Sequence, residues 1–182
     1  MCDKRYTCNK DNPNRIDKVL RKSIDNGECW SNEHVIIKEE GEQQLHSSAA
    51  IDNALLYDEK TETLFLIYCL TPAGIGLFNS KKGTGMVGTY LKVINNDQEY
   101  YIKDHYLFSI NDEKTAYFVD NKFNVFKNDK AYGNLKTNET GFKMYETSYL
   151  MLITSKDDGE TWSEPLFLNS MVKKDSWAFI GP

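Results

Sequence analysis

Short strand-like apolar runs separated by polar turns recur along the whole chain. Lys18 to Ser23 alternates around Val19, and Val35, Ile36 and Ile37 form a second run. Ala54 to Tyr57 and Leu64 to Leu70 flank the turn-like segment Asp58 to Glu62, which predicts a hairpin. Tyr145 to Thr154 is a longer apolar stretch; Tyr and Thr interrupt it and a turn comes after it, so it reads as a buried strand. Weaker strand signals stand at Tyr90 to Ile94, Tyr100 to Ile102, Tyr106 to Ile110 and Ala116 to Val119. Asp, Asn, Gly and Lys fill the gaps, which is turn chemistry. Ile16 to Lys22 also fits a short helix, but the turn-forming segment directly after it favours strand. The pattern predicts an all-β chain.

Two of the turns match each other. Ser23-Ile24-Asp25-Asn26-Gly27-Glu28-Cys29-Trp30 and Ser155-Lys156-Asp157-Asp158-Gly159-Glu160-Thr161-Trp162 both fit S-x-D-x-G-x-(T/C)-W, and each stands after an apolar run. Such a segment builds its own hydrogen-bond network. The Asp carboxylate accepts from backbone N–H groups across the turn, the Gly takes a positive φ that a Cβ would penalise, and the Trp packs its ring on the hairpin. Asp25, Asp157, Trp30 and Trp162 are therefore read as folding residues and excluded from any site. The two Ser positions lie 132 residues apart. Repeats of this kind recur about every 40–50 residues in propellers, so roughly 80–90 residues read as inserted between two blades. The candidate insertion runs from about Phe78 to Lys143 and is polar, Asn- and Lys-rich and dotted with Tyr. The chain thus divides into three regions: 1–77 as the first blades, 78–143 as a small inserted β-rich subdomain, and 144–182 as a further strand, the second turn and a closing segment.

Composition narrows the functional classes. The 182 residues are 40% hydrophobic, enough for a packed core, and 13% aromatic, which suits pleated surfaces. A net charge of −5 supplies no basic field for nucleic acid or an anionic membrane. No run approaches the roughly 20 apolar residues that span a bilayer, and no secretory signal is visible. The four cysteines, Cys2, Cys8, Cys29 and Cys69, fit no zinc or redox spacing; Cys2 and Cys8 could pair, but free thiols are the expectation.

Several segments resemble the catalytic domain of bacterial sialidases, in the large secreted form that carries a β-rich insertion. The two repeat turns are similar to that family's Asp boxes. Asp3-Lys4-Arg5, Asp11, Ile16-Asp17 and Arg21-Lys22-Ser23 resemble the stretch after its first catalytic arginine. Ala49-Ala50-Ile51-Asp52-Asn53-Ala54-Leu55-Leu56-Tyr57-Asp58 and Leu64 to Ile67 resemble its second blade. Pro72-Ala73-Gly74-Ile75-Gly76, Lys82-Gly83-Thr84-Gly85, Thr147 to Leu150, Val172 to Asp175 and Phe179-Ile180-Gly181-Pro182 carry the match along the rest of the chain.

The resemblance implies part of a six-bladed β-propeller and an exo-acting, retaining sialidase that releases terminal sialic acid from glycoproteins, glycolipids or oligosaccharides. Sialic acid carries a carboxylate on its anomeric carbon, so such an enzyme needs guanidinium groups to clamp it and a nucleophile the carboxylate does not repel, which in sialidases is a tyrosine. A separate carboxylic acid protonates the leaving oxygen. Asp11 matches that acid/base; on the residues alone, an Asp beside Lys10 and Asn12 is a solvated turn residue. Arg5 and Asp52 match residues on the sugar's hydroxyl edge, the alternatives being a surface arginine paired with Asp3 and a turn cap. Ile51, Leu77 and Thr71 match an apolar wall around the N-acetyl group, with Thr71 where an aromatic often stands. By the same resemblance the first clamp arginine lies before residue 1. The other two arginines, the tyrosine and its glutamate partner lie beyond Pro182, so the chain alone is expected to be inactive and poorly folded. The partners implied are sialylated glycoconjugates and the rest of the propeller, with no cofactor and no metal, in a secreted or cell-surface protein. The rival readings are a non-catalytic propeller module that binds glycans or proteins, and a truncated remnant.

The remaining motifs carry less. Gly83-Thr84-Gly85-Met86-Val87-Gly88 fits G-x-G-x-x-G but lacks the flanking strand and helix of a dinucleotide site. His34, His46 and His105 have no metal spacing. Asn138-Glu139-Thr140 fits a glycosylation sequon, and Lys173-Lys174 reads as a solvated face.

Overall fold

The computed structural model describes residues 1–6, 8–39, 41, 47–137 and 141–182. His46 and the sequon at 138–140 lie outside them. Fifteen strands and one short helix are assigned among these residues: β1 (Cys2–Arg5), β2 (Ile16–Leu20), β3 (His34–Ile37), β4 (Ala49–Asp58), β5 (Thr63–Thr71), β6 (Met86–Val87), β7 (Tyr90–Asn95), β8 (Gln98–Lys103), β9 (Tyr106–Ser109), β10 (Lys114–Val119), β11 (Asn124–Lys127), β12 (Lys130–Asn134), β13 (Phe142–Met144), β14 (Tyr149–Ser155), β15 (Leu166–Phe167) and α1 (Asn169–Val172). The short apolar runs therefore make strands, and β2 takes the strand form at Ile16 where a helix was the alternative.

The strands form two open sheets. The first runs β1-β2-β4-β5-β14-β15, with β3 also pairing β2. β2 and β4 are parallel and meet at Ile16 and Ala49; the other pairs are antiparallel. The second runs β12-β11-β10-β9-β8-β7-β13, with β6 on β7. All strands of the second sheet fall in the chain between β5 and β14, yet those two strands are direct neighbours in register from Leu64–Ser155 to Leu70–Tyr149. One core serves both sheets. Leu66, Tyr68, Tyr149 and Met151 of the first sheet pack with Val93, Leu107, Val119 and Met144, and burial of each such side chain is worth about 1.5–3 kcal/mol. A smaller cluster of Ile16, Ala49, Ile51 and Cys69, covered by Phe179, sits where β2, β4 and β5 converge. The second half of β4 leaves Leu55, Leu56 and Tyr57 exposed.

The two repeat turns fold alike. In each, the Ser hydroxyl donates to the Asp at 2.7 Å and accepts from the Gly N–H at 2.8 Å. The Asp accepts from the backbone N–H of Cys29 or Thr161 at 2.9 Å. The Trp indole donates to the Gly carbonyl at 3.1 Å in the first turn and 3.2 Å in the second. Positive φ is shared by Gly and the residue before it, Asn26 or Asp158. The hydroxyl and N–H of Thr161, with Ser155, hold the Asp157 carboxyl down at about 2.

The glycine-rich segment is a packing device. Gly85 has φ +73 and abuts Tyr149, where a Cβ would come within 2.6 Å of the phenol oxygen. The next strand, β6, pairs antiparallel with β7, so there is no dinucleotide topology here. His105 stacks on Phe118. None of the four cysteines is in a disulfide. Lys173 departs from the expectation of a solvated face: it is buried, because α1 turns it under the start of β14, where Thr147, Ser148 and Ala178 accept its protons.

Candidate active site

Three polar residues singled out in the sequence, Arg5, Asp11 and Asp52, converge at one end of the first sheet. β1 and β2 pair antiparallel with Arg5 opposite Ile16 and Asp3 opposite Lys18. Strand alternation puts Asp3 and Arg5 on one face. Asp3 then bridges two cations: one oxygen accepts a hydrogen bond from Lys18 and the other accepts one from Arg5 Nη2 at 3.3 Å. Arg5 Nη2 also donates to Asp11 Oδ1. That bond, and after it the charges of Asp11, Asp3 and Asp52, holds the guanidinium above its ordinary range. Lys18 is fully buried; burial pulls its ammonium below the usual lysine range, against the bond to Asp3.

Asp11 stands on a turn braced from beneath. The buried Asn14 side chain donates to the Asp11 carbonyl at 2.6 Å, and Asn12 Nδ2 donates to Thr71 Oγ1 at 3.2 Å. The Asn12–Pro13 bond is cis. Gly76 passes so close that a Cβ would lie 3.2 Å from the Asn12 carbonyl. The backbone is thus fixed while the Asp11 side chain stays 67% exposed, in reach of a solute.

Asp52 owes its position to a bulge. Ile51 pairs with Cys69 and Asn53 with Tyr68, so Asp52 is the extra residue of β4, at φ +45. A non-glycine residue there is uncommon, and strain of this kind gathers at functional sites. The bulge turns Asp52 outward to solvent while Ile51 stays in the small core cluster. Asn53 accepts from Lys18 Nζ at 3.3 Å, which ties the bulge to the Asp3–Arg5 group. Gly181 lies alongside, where a Cβ would sit 3.7 Å from Asp52 Oδ2.

The apolar candidates are divided. Leu77 is 57% exposed on the loop that starts at Gly76. Ile51 and Thr71 are buried, Ile51 packing with Phe179 and Thr71 supporting Asn12. Sequence reasoning missed Asp3, Lys18, Asn12, Asn14 and Lys173. The signal for Lys18 was its place inside the apolar run Ile16–Leu20; for Asp3 it was the two-residue step to Arg5. Among the described residues, no three or more His, Cys, Asp or Glu side chains are grouped to hold a metal ion. Chemically, the cluster offers an accessible carboxyl bonded to a guanidinium, with a second carboxylate beside it: a set that can exchange a proton and hold hydroxyl groups.

No protein-family model matches the chain. Over 99% of its length it is 26% identical to an anhydrosialidase from Macrobdella decora. Over 89% it is 24% identical to sialidase B from Streptococcus pneumoniae. The solved structure of the intramolecular trans-sialidase from Ruminococcus gnavus, in complex with oseltamivir carboxylate, superimposes with a TM-score of 0.87 at 25% identity, covering 98% of this chain and 47% of that one. The chain is similar to sialidases in sequence and in fold over nearly its whole length.

Sialidase structures are β-propellers, so the first sheet is a portion of a propeller, not closed into a ring within these residues. The superposition takes in nearly the whole chain, the second sheet included. The chain spans about 30% of the length of these two curated sialidase relatives.

Proposed function

We propose that the chain carries the acid/base side of a sialoside-cleaving site, completed by further residues of the propeller. The observation that supports this most is the Arg5–Asp11 pair with Asp52 close by, in a chain similar to sialidases over nearly its full length. In this reading Asp11 donates its proton to the glycosidic oxygen as the bond to the anomeric carbon breaks. The sugar is held with retention on a tyrosine supplied by the rest of the protein. Asp11 then takes a proton from the group that displaces that tyrosine. Arg5 and Asp52 hold the hydroxyl edge of the sugar, and the exposed Leu77 its apolar side, with Ile51 packed beneath. The repeat turns serve as Asp boxes that stiffen the blade tips, and a secreted or surface location fits glycoconjugate substrates.

Two products are open to this chemistry. Water as the incoming group yields free sialic acid. A hydroxyl of the same sugar yields a 2,7-anhydro product, and the names of the relatives favour this second reading: an anhydrosialidase, and a leech intramolecular trans-sialidase complexed with 2,7-anhydro-Neu5Ac.

The test is turnover of 3′-sialyllactose by the full-length protein, with products resolved by mass, beside Asp11→Ala. Loss of the acid is expected to lower the rate on the order of 10²–10⁴-fold, and less with an activated phenol as leaving group. A well-folded full-length protein that cleaves no sialoside would refute enzymatic function and favour a binding module.

A further inference from the structure

Lys173 takes no part in the Arg5–Asp11–Asp52 cluster. It stands directly after α1, it is 5% exposed, and among the described residues it makes no ion pair. A buried ammonium without a counter-ion works against stability, which turns attention to the bonds it makes. All three of its protons are committed: to Thr147 Oγ1, to the Ser148 carbonyl at 3.0 Å and to the Ala178 carbonyl at 3.2 Å. The first two acceptors lead into β14. The third opens the segment Ala178–Gly181.

That segment backs the candidate site. Ile180 N–H donates to Ser148 Oγ at 2.7 Å, and the Cys69 thiol donates to the Ile180 carbonyl at 3.3 Å. Phe179 covers Ile16, Ala49, Ile51 and Cys69. Gly181 borders the Asp52 carboxylate. Without the ammonium, the segment would be tied to this part of the sheet by the Thr147 hydroxyl to the Ala178 carbonyl at 2.9 Å, by one backbone N–H bond and by one weak thiol bond. A compact group with three donors suits three acceptors drawn from two separate stretches of chain, whereas a neutral amide has only two.

We propose that Lys173 is a positioning residue: its ammonium pins Ala178–Gly181 to the start of β14, and the pinned segment fixes Ile51 and Asp52. The effect on turnover rests on the sialoside-cleaving reading; the pin itself does not.

The test uses the full-length protein with Lys173→Met and Lys173→Arg. Cys69 lies fully buried beneath Ile180, so its alkylation by iodoacetamide, read at that residue by mass spectrometry, reports release of the segment. The exposed Cys2 and Cys29 serve as controls. In Lys173→Met, Cys69 alkylation is expected to rise about tenfold as the segment loses its charge-assisted bond at Ala178 and with it the bridge to Thr147 and Ser148. KM for 3′-sialyllactose is expected to rise about tenfold with kcat within roughly threefold, the pattern of weakened substrate binding. The melting temperature should hold or increase, because an uncompensated buried charge is gone. Lys173→Arg keeps the charge but not the compact geometry and should fall between. Unchanged Cys69 alkylation in Lys173→Met would overturn the pin, whatever the activity. Faster alkylation with unchanged KM would overturn the link to the site. A lower melting temperature with both kinetic constants intact would reduce Lys173 to a structural role. If the unsubstituted protein cleaves no sialoside, the proposed function and the link to it both fall, and alkylation alone judges the pin.

Discussion

The two sheets share a buried ion pair whose removal should separate two opposing electrostatic effects. Glu39, just after β3, and Lys136, between β12 and β13, are nearly inaccessible and meet at 3.0 Å. Ser48 also donates to the same carboxylate oxygen at 2.6 Å. At 3.0 Å and an effective dielectric of 20 the attraction is about 5 kcal/mol, and desolvating the two ions costs several kcal/mol each. The intact pair is therefore close to neutral in net stability. Lys136→Met removes the attraction but leaves the carboxylate buried, with the Ser48 hydroxyl still donating to it. That change is expected to lower unfolding free energy by about 3–5 kcal/mol. Adding Glu39→Gln removes the stranded charge while an amide oxygen still accepts from Ser48, so the double variant should recover most of the loss. Urea unfolding with linear extrapolation measures all three proteins. A cost under about 1 kcal/mol for Lys136→Met, or a double variant no better than the sum of the singles, would refute the claim that this carboxylate depends on its partner.

The turns and the glycine contact supply two further expected outcomes. Gly85→Ala should destabilise by about 1–3 kcal/mol, because the new Cβ would meet Tyr149 at 2.6 Å and sit at φ +73; a thermal melt shifted by less than the equivalent of about 0.5 kcal/mol would contradict this. Asp157 is depressed from 3.8 to about 2 by Thr161 and Ser155, so its contribution is complete above its unfolded value and disappears as pH falls through about 2. An NMR titration should place its midpoint near 2, and Asp157→Asn should flatten the stability profile between pH 4 and 2.

The local structure was legible because its causes are local. Each repeat turn closes its hydrogen bonds within eight residues, from Ser23 to Trp30 and from Ser155 to Trp162, so composition and spacing are enough to specify it. The β4–β5 hairpin is likewise settled by two apolar runs around the turn segment Asp58 to Glu62. Short strands such as β1 and β12 left no comparable signal, since Cys2–Arg5 and Lys130–Asn134 hold almost no apolar residues.

Tertiary structure decided how the polar groups meet. Asp11 and Arg5 are six residues apart, but Asp52 joins them only because β4 runs parallel to β2 and bulges at that residue. Lys18 and Lys173 have the same side chain as the exposed Lys174; burial, which sequence does not display, makes the first a partner of Asp3 and the second a ligand of backbone carbonyls. The long gap between two matching turns could be seen, but it could not reveal that the strands within it complete the core of the first sheet. Hydrogen bonds inside a turn are encoded by neighbours in the chain, whereas burial and charge pairing are set by whichever segments the fold brings into contact.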